Sequence, residues 1–210
     1  MPLTHFTDRH LVRLLATETR RADLSPYALS RTHVTLGRFL AGELAERLDL
    51  EPCEIQHPQG ARQGWRIAQE ERIALLCFLR AGLYVTEGVR EVMTQAPLLH
   101  VSPRRGVGLS DAELAGLDET GATTAVLIDS VVNTGASLEP VMEQLSQRCL
   151  RIFVLSLVSP TPTAARLEQA WPGVELLFAR VSDNQYVGRG ATDTGNRLFG
   201  TISGSSRERP

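Results

Sequence analysis

Five short apolar runs, each bounded by turn residues, alternate with segments of helical periodicity along this chain of 210 residues. Apolar strands that alternate with helices indicate a parallel sheet covered on both faces. The sequence therefore predicts an α/β fold built as one domain. The predicted strands are Ile73–Leu79, Leu98–Ser102, Ala125–Asp129, Ile152–Val158 and Val174–Ala179, and the predicted helices between them are Val85–Met93, Ser137–Gln147 and Pro162–Ala170.

Outside this alternation the sequence predicts three further parts. Residues 1–50 carry apolar stripes at helical spacing, which predicts a helical N-terminal part. Glycines 60 and 64 predict a β-hairpin from Cys53–His57 to Trp65–Ile67. Residues 51–200 would hold the core and a small hood, and residues 201–210 read as a disordered tail. The segment Arg104–Gly121 has four glycines and two adjacent arginines, which predicts a long irregular and mobile functional loop.

The cations of this chain are unusual, because all 22 Lys+Arg residues are arginine. The absence of lysine excludes Schiff-base enzymes, a pyridoxal-phosphate anchor and a lysine-containing P-loop. Any bound anion must therefore be held by arginine, backbone N–H groups, hydroxyls or a metal. The formal net charge of -2 gives no overall basic field, so we expect no nucleic-acid partner.

The three cysteines are far apart and form no C-x-x-C pair, so neither a zinc site nor a disulfide framework is expected. Cys77 falls within an apolar run and is predicted to be a buried small side chain. The N-terminal residues are too charged for a signal peptide, and no apolar run approaches the ~20 residues that span a bilayer. The sequence therefore predicts a soluble cytoplasmic protein without a membrane partner.

One strand and the loop after it carry the clearest chemical signal. The apolar strand ends in Asp129, and the small and hydroxyl residues of Thr134–Ser137 precede a predicted amphipathic helix. In a parallel sheet this arrangement places Asp129 at the carboxyl edge, where ligands bind. It also presents unpaired N–H groups at a helix N-terminus, which suits a phosphate. The alternative is that Asp129 is a turn residue and Ser137 only an N-cap.

This stretch resembles the phosphoribosyl-pyrophosphate (PRPP) loop of type I phosphoribosyltransferases. Three more blocks narrow the resemblance to the uracil phosphoribosyltransferases. Phe78–Leu83 is similar to the I-L-R-A-G-L block of that family, and Arg105 falls at the arginine of its Y-R-D loop. Tyr186–Thr201 aligns without a gap to Y-I-V-P-G-L-G-D-A-G-D-R-x-F-G-T. With His10-Leu-Val the resemblance spans nearly the whole chain, and it implies the type I phosphoribosyltransferase fold.

The resemblance implies an enzyme that transfers 5-phosphoribosyl from PRPP to uracil, with Mg²⁺ shared between pyrophosphate and ribose. It also implies a homodimer or larger homo-oligomer. The residues that would bind PRPP are Arg80, Ala81, Gly82, Arg105, Asp129, Val132, Asn133, Thr134, Gly135, Ala136 and Ser137. The residues that would bind the base are Tyr186, Val187, Thr192 and Thr194. The catalytic residues would be Asp129, Arg105 and Asp193, with Asp193 beside the metal, either through the pyrophosphate or through water.

Several of these residues have a structural alternative. Arg80 could pair with a carboxylate, Arg104 and Arg105 could be solvated loop charges, and Asp193 could cap its own backbone. Arg197 could hold the last turn of the chain rather than touch a ligand.

The chain also departs from the family pattern at positions that would face ligands. The departures are Arg104 for tyrosine, Ser130 for proline, Ala136 for glycine, Arg189 for proline, Thr192 for glycine and Asn196 for aspartate. Two alternatives to uracil transfer therefore stay open: transfer to a different base or acceptor, and a non-catalytic protein that binds PRPP or a nucleotide.

Overall fold

The computed structural model describes residues 3–148, 150–184 and 188–201. The predicted tail beyond Thr201 lies outside them. Within these ranges the strands are β1 (Leu3–His5), β2 (Leu50–His57), β3 (Gly60–Ile67), β4 (Ile73–Phe78), β5 (Leu98–Val101), β6 (Thr124–Val131), β7 (Arg151–Pro160) and β8 (Val174–Ser182). The α-helices are α1 (His10–Arg20), α2 (Pro26–Ala45), α3 (Leu83–Arg90), α4 (Asp111–Glu119), α5 (Glu139–Ser146), α6 (Thr161–Ala170) and α7 (Thr194–Phe199).

The main sheet has six strands in the order β1-β8-β7-β6-β4-β5, and every neighbouring pair is parallel. The chain runs outward from β4 to β5 on one side and from β6 through β7 to β8 on the other. The strand order therefore reverses between β4 and β6. In open α/β sheets, ligands bind at the carboxyl ends of the strands at such a reversal.

Helices cover both faces of this sheet, which confirms the α/β prediction. All six residues of β4 are buried, as expected for a central parallel strand. Successive side chains point to opposite faces, so Leu76 packs in a cluster with residues of α5 and α6, and Leu75 packs in a cluster with residues of α2 and α3. The five predicted strands correspond to β4–β8, and Cys77 is fully buried as predicted.

Four predictions on local structure need correction. Residues 3–5 form β1, which pairs with β8, so the N-terminal part is not only helical. The segment 104–121 is not irregular throughout, because it contains α4. Ser110 and Glu113 form a capping box at the start of α4, a signal that glycine-rich surroundings obscured. The helix predicted from Ser137 begins at Glu139, and the strand predicted at Val174–Ala179 extends to Ser182. A 3₁₀ turn at Gly190–Thr192 precedes α7.

The predicted hairpin forms a separate two-stranded sheet of β2 and β3. Leu50 pairs with Ile67 and Pro52 with Trp65, so these four residues share one face. Leu50 and Trp65 remain 55% and 65% exposed, which leaves an apolar surface on the hairpin.

None of the helices in the described ranges is long and apolar enough to cross a membrane. Cys53 and Cys77 are free thiols. Over the same residues, no three His, Cys, Asp or Glu side chains come together as a metal site.

Helices α2 and α3 pack at unusually close range through two glycines. A Cβ at Gly37 would lie 2.1 Å from the carbonyl oxygen of Val85, and a Cβ at Gly88 would lie 2.0 Å from that of Val34. Both obstacles are backbone atoms, which cannot rotate away as a side chain can. These glycines therefore set the distance at which α2, and with it the N-terminal part, covers the sheet.

Gly88→Ala is expected to lower the free energy of unfolding by about 1–3 kcal/mol, because the added methyl must separate two helix backbones. Gly42→Ala in α2 is the matched control. Nothing lies within 4 Å of the Cβ that it adds, so helix propensity should raise stability by up to about 1 kcal/mol. Urea denaturation measures both variants. Equal stability of Gly88→Ala and the parent would contradict the packing argument.

Candidate active site

The loops after β4 and β6 meet at the reversal of strand order. Arg80, Ala81 and Gly82 follow β4, and Asp129 lies near the end of β6. The Ser130 hydroxyl donates a hydrogen bond to the Ala81 carbonyl oxygen and so joins the two loops directly. The sheet thus brings together, at one edge, two groups of residues that are almost 50 positions apart in sequence.

The loop from Val132 to Leu138, between β6 and α5, presents backbone donors. Val132 N–H donates to Val158, and Ala136 N–H donates to the Thr134 hydroxyl at 3.3 Å. The N–H groups of residues 133, 134, 135 and 137 have no acceptor within the described ranges. Four unpaired N–H groups ahead of a helix form a favourable environment for a phosphate.

The backbone conformation of this loop explains why alanine is accepted at position 136. Gly135 has a φ of +79°, which favours glycine. Ala136 is not among the residues with positive φ. Alanine therefore fits the conformation that this loop adopts, and the departure from glycine causes no backbone strain.

Helix α6 braces the same loop, a feature that sequence reasoning missed. Thr163 donates to the Asn133 carbonyl at 2.8 Å, and Arg166 donates to the Thr134 carbonyl at 2.8 Å. Arg166 also forms an ion pair with Glu139 at 2.8 Å. These contacts join positions about 30 residues apart, and no local sequence motif announces them. They hold the loop in shape before any ligand arrives.

Asp129 lies half-buried beneath this loop without a cationic partner among the described residues. Burial raises the pKa of Asp129 to about 7, and the neighbouring N–H groups of Ser130 and Val131 only partly oppose the rise. The carboxyl group therefore changes charge near neutral pH. As a carboxylate it can accept hydrogen bonds from ligand hydroxyls.

The loop after β4 approaches β6 very closely. A Cβ at Gly82 would lie 2.4 Å from the Ile128 carbonyl oxygen, so only glycine fits there. The peptide bond between Leu79 and Arg80 is cis. The Arg80 guanidinium donates to Asn196 at 3.0 Å and to Thr201 at 3.2 Å, and it lies over the Phe199 ring. It does not pair with a carboxylate in the described structure.

The loop of residues 132–138 is the phosphate-type loop. A tight turn at residues 104–108 lies beside it. Gly106 N–H donates to the Ala136 carbonyl at 3.2 Å. Gln144 of α5 exchanges two hydrogen bonds with the Leu109 backbone and so anchors the end of the turn. Arg105 is exposed and, within the described ranges, forms neither a hydrogen bond nor an ion pair through its side chain. Its position allows it to reach an anion held by the neighbouring loop.

The C-terminal segment reaches the same edge of the sheet. Asp193 caps α7, because its side chain accepts a hydrogen bond from Asn196 N–H at 2.9 Å. This is the backbone-capping contact predicted above as an alternative role for Asp193. The Thr192 hydroxyl donates to the Arg189 carbonyl oxygen at 2.9 Å, and the Thr192 N–H donates to the same oxygen at 3.1 Å. The predicted base-binding residues Tyr186 and Val187 lie outside the described residues.

Comparison with known proteins decides the family. The sequence model of the family described as "Uracil phosphoribosyltransferase" matches residues 6–201. The chain belongs to the uracil phosphoribosyltransferase family. The resemblance predicted from the four sequence blocks is thereby confirmed.

Individual relatives agree with this assignment. The uracil phosphoribosyltransferase of Synechococcus elongatus is 31% identical, with 84% of this chain and 88% of the relative covered. That of Thermococcus gammatolerans is 25% identical, with 96% and 95% covered. The solved structure of the AQ2163 protein from Aquifex aeolicus has a TM-score of 0.74 at 21% identity, covering 95% of this chain and 99% of that one, which supports the fold.

Family membership gives the departures in the C-terminal segment a physical meaning. Asn196 replaces the aspartate of the uracil phosphoribosyltransferase pattern, yet its side-chain oxygen accepts from Arg80 as a carboxylate would. Its amide nitrogen also donates to the Gly190 carbonyl at 3.0 Å, which a carboxylate could not do. The substitution exchanges one negative charge for a bond that ties Arg80 to the 3₁₀ turn.

Arg197 matches the uracil phosphoribosyltransferase pattern and has a structural role here. Its guanidinium donates to the carbonyl oxygens of Thr19 at 3.0 Å and Arg21 at 2.6 Å. It thus bonds α7 to the last turn of α1, whose carbonyls lack helical partners. Sequence reasoning left this role open, and the structure supports the structural alternative.

The raised pKa of Asp129 predicts a dependence of stability on pH. In the unfolded chain the carboxyl ionises near pH 4, whereas the fold favours its protonated form up to about pH 7. Asp129 therefore lowers stability progressively between these values and most strongly above them. Asp129→Asn is expected to raise Tm at about pH 8 and to change it much less at about pH 4.

Asp118→Asn serves as the control, since Asp118 is exposed and pairs with Arg148 at 3.0 Å. For Asp118→Asn, the difference in Tm from the parent should not grow between about pH 4 and about pH 8 as it does for Asp129→Asn. Differential scanning calorimetry of the three proteins at several pH values measures the effect. A Tm of Asp129→Asn below that of the parent at about pH 8 would show that the carboxylate stabilises the fold.

Proposed function

We propose that this chain transfers 5-phosphoribosyl from PRPP to uracil, giving UMP and pyrophosphate. The observation that carries the proposal is the Asp129 strand end together with the unpaired N–H groups of the loop after it, in a chain of the uracil phosphoribosyltransferase family. In this reaction a ring nitrogen of uracil bonds to C1 of the ribose, the bond from C1 to the pyrophosphate oxygen breaks, and the nitrogen loses its proton.

The proposed roles follow from the geometry. The loop Val132–Ser137 binds the 5′-phosphate through backbone N–H groups and through the hydroxyls of Thr134 and Ser137. Asp129 accepts hydrogen bonds from the ribose hydroxyls, and its negative charge favours the positive charge that builds on the ring. Positioning of this kind, rather than covalent chemistry, supplies most of the rate.

The leaving group meets cations and backbone donors from two loops. Arg80 is already held over the edge of the sheet by Asn196 and Thr201, and the N–H groups of Arg80 and Ala81 have no acceptor in the described structure. Arg105 approaches from the turn at residues 104–108. The planar guanidinium group matches diphosphate oxygens, so a chain without lysine loses nothing here.

We further propose that Mg²⁺ accompanies the pyrophosphate. Mg²⁺ commonly takes one or two carboxylates together with substrate phosphates rather than an all-protein cage. Asp193 fits that mode as a single carboxylate, since it is half-buried and both its Oδ1 and the Arg80 guanidinium lie near Gly195. The ion would neutralise charge on the leaving group.

The activity is tested by mixing the protein with PRPP, uracil and Mg²⁺ and measuring pyrophosphate release. We expect turnover that chelation of Mg²⁺ abolishes, and a kcat lowered about 100-fold or more in Asp129→Asn, since an uncharged amide stabilises a cationic ring poorly. Asp118→Asn is the control and should keep parental turnover. Tight PRPP binding without pyrophosphate release would favour the non-catalytic alternative.

We also propose that the chain forms a homo-oligomer. The exposed apolar face of the hairpin at Leu50 and Trp65 is the kind of surface that association covers. Leu14 and Tyr27 of the N-terminal helices, 69% and 76% exposed, offer a second such surface. Light scattering after size exclusion should give a mass of at least twice 23.0 kDa.

Trp65→Ser and Leu14→Ser are then compared by light scattering, one variant for each surface. The variant at the true interface should shift the protein towards the monomer, and the other should keep the parental mass. A parental protein that is monomeric at high concentration would contradict the proposal.

A further inference from the structure

A cavity of about 230 Å³ lies between the N-terminal helices and the carboxyl ends of β6, β7 and β8. One part of the lining comes from the end of β6 and the phosphate-type loop. It consists of Ser130 and Val131, which follow Asp129, and of Asn133 in the loop. Thr194, a predicted base-binding residue that follows Asp193, lines another part. The cavity therefore adjoins both the strand end at Asp129 and a predicted base-binding residue.

Three guanidinium groups line this cavity, those of Arg20, Arg180 and Arg197, and no described lining residue is acidic. Acidic residues flank several lining residues in sequence: Asp129 precedes Ser130, and Asp193, which caps α7, precedes Thr194. Two others have partners of their own. Glu18 pairs with Arg21 at 3.3 Å, and Asp183 accepts from Thr161 at 3.1 Å. The described lining therefore includes three arginines and no carboxylate, and Asp129 adjoins it at Ser130.

Of the three arginines, Arg180 is the one whose guanidinium donors have no partner in the described structure. Arg197 is committed to the carbonyls at the end of α1, and Arg20, which is exposed, uses its Nε on the Ala16 carbonyl. Arg180 is half-buried, and within the described ranges its side chain forms no hydrogen bond or ion pair. Burial and the charge of Arg20 both lower the pKa of Arg180, so the ligand-free protein stabilises its charge less than water does.

The remaining lining residues add apolar surface and one further polar atom. Val12, Leu36 and Leu157 supply apolar surface. His33 is buried, and its Nδ1 lies 2.9 Å from the Leu29 carbonyl oxygen, which leaves Nε2 as the other polar atom of the ring. Burial, together with the charge of Arg197, lowers the pKa of His33 to about 4, so the imidazole is neutral at neutral pH and Nε2 accepts a hydrogen bond.

We propose that this cavity receives the acceptor base and that Arg180 binds a carboxylate carried on its ring, so that pyrimidines with an anionic substituent are a substrate class of this enzyme. The proposal rests on the phosphoribosyl transfer proposed above. The proposal extends the acceptors beyond uracil. Uracil is neutral and has no carboxylate, so its binding would leave Arg180 unpaired. A planar guanidinium can bind a carboxylate through two parallel hydrogen bonds.

The test compares uracil with uracil-5-carboxylate and uracil-6-carboxylate. Pyrophosphate release gives kcat/KM for each acceptor with PRPP and Mg²⁺. Titration calorimetry with ribose 5-phosphate in place of PRPP gives the binding constants without turnover. We expect one of the carboxylates to exceed uracil in both measurements by on the order of 10- to 100-fold, as is typical of a charged hydrogen bond in a partly buried site.

Arg180→Met should remove that preference and leave uracil unchanged or improved, and Arg180→Lys should restore part of it. Arg20→Met, at the rim, is a second variant that tests the same charge if Arg180→Met does not fold. Arg148→Met is the matched control, because Arg148 pairs with Asp118 away from the cavity. Arg180→Met should also raise the Tm of the ligand-free protein, which loss of a merely structural arginine would lower.

The outcomes separate the two proposals. Turnover of uracil without any preference for a carboxylate overturns this inference and leaves the proposed function intact. If no acceptor supports pyrophosphate release, the proposed function is overturned. The binding constants from the titrations then decide whether Arg180 binds a carboxylate. Binding of neither carboxylate more tightly than uracil, or equal binding by the parent and Arg180→Met, overturns this inference.

Discussion

The close approach of the loop after β4 to the end of β6 is the constraint on which the site depends. Gly82 lies against the Ile128 carbonyl oxygen with no room for a Cβ, and the Ser130 hydroxyl closes the same gap from the other strand. Because the strand order reverses between these two strands, no other strand separates their loops. Arg80 and Asp129 can therefore contact the same small molecule, because the gap between their two loops is short.

Arginine fulfils two different tasks around this edge. Arg166 and Arg197 use their several donors to tie backbone carbonyls of separate elements together, the first at the phosphate-type loop and the second between α7 and α1. Arg105 and Arg180 form no bonds of this kind in the described structure, so their guanidinium groups are available to the ligands proposed above. The difference lies in what surrounds each side chain, since the residue type and its charge are the same.

The sequence was sufficient for five of the six strands of the main sheet, because buried parallel strands have a strong local pattern, and it missed the three-residue strand β1. It also predicted the position of Asp129 near the carboxyl end of a buried strand, which the structure confirms, whereas the role of Asp129 stays a prediction. It failed where the determinant is distant in sequence. The bracing of the loop by Arg166 and the cavity around Arg180 depend on contacts that form only after folding. Helix α4 is a different case, because its Ser110–Glu113 capping box is a local helix signal that the neighbouring glycines obscure.

Asp129 and Arg180 share a physical property that neither sequence nor fold alone explains. Each is a charge that the ligand-free protein holds partly buried without an opposite partner among the described residues, and each has a pKa displaced towards its neutral form. Such groups lower the stability of the fold, so their retention points to what a ligand supplies. Ribose hydroxyls would donate to Asp129, and an anion would pair with Arg180. Asp129 directly precedes Ser130, and Ser130 lines the same cavity as Arg180, so one bound PRPP and one bound acceptor of the proposed class would satisfy both groups at once.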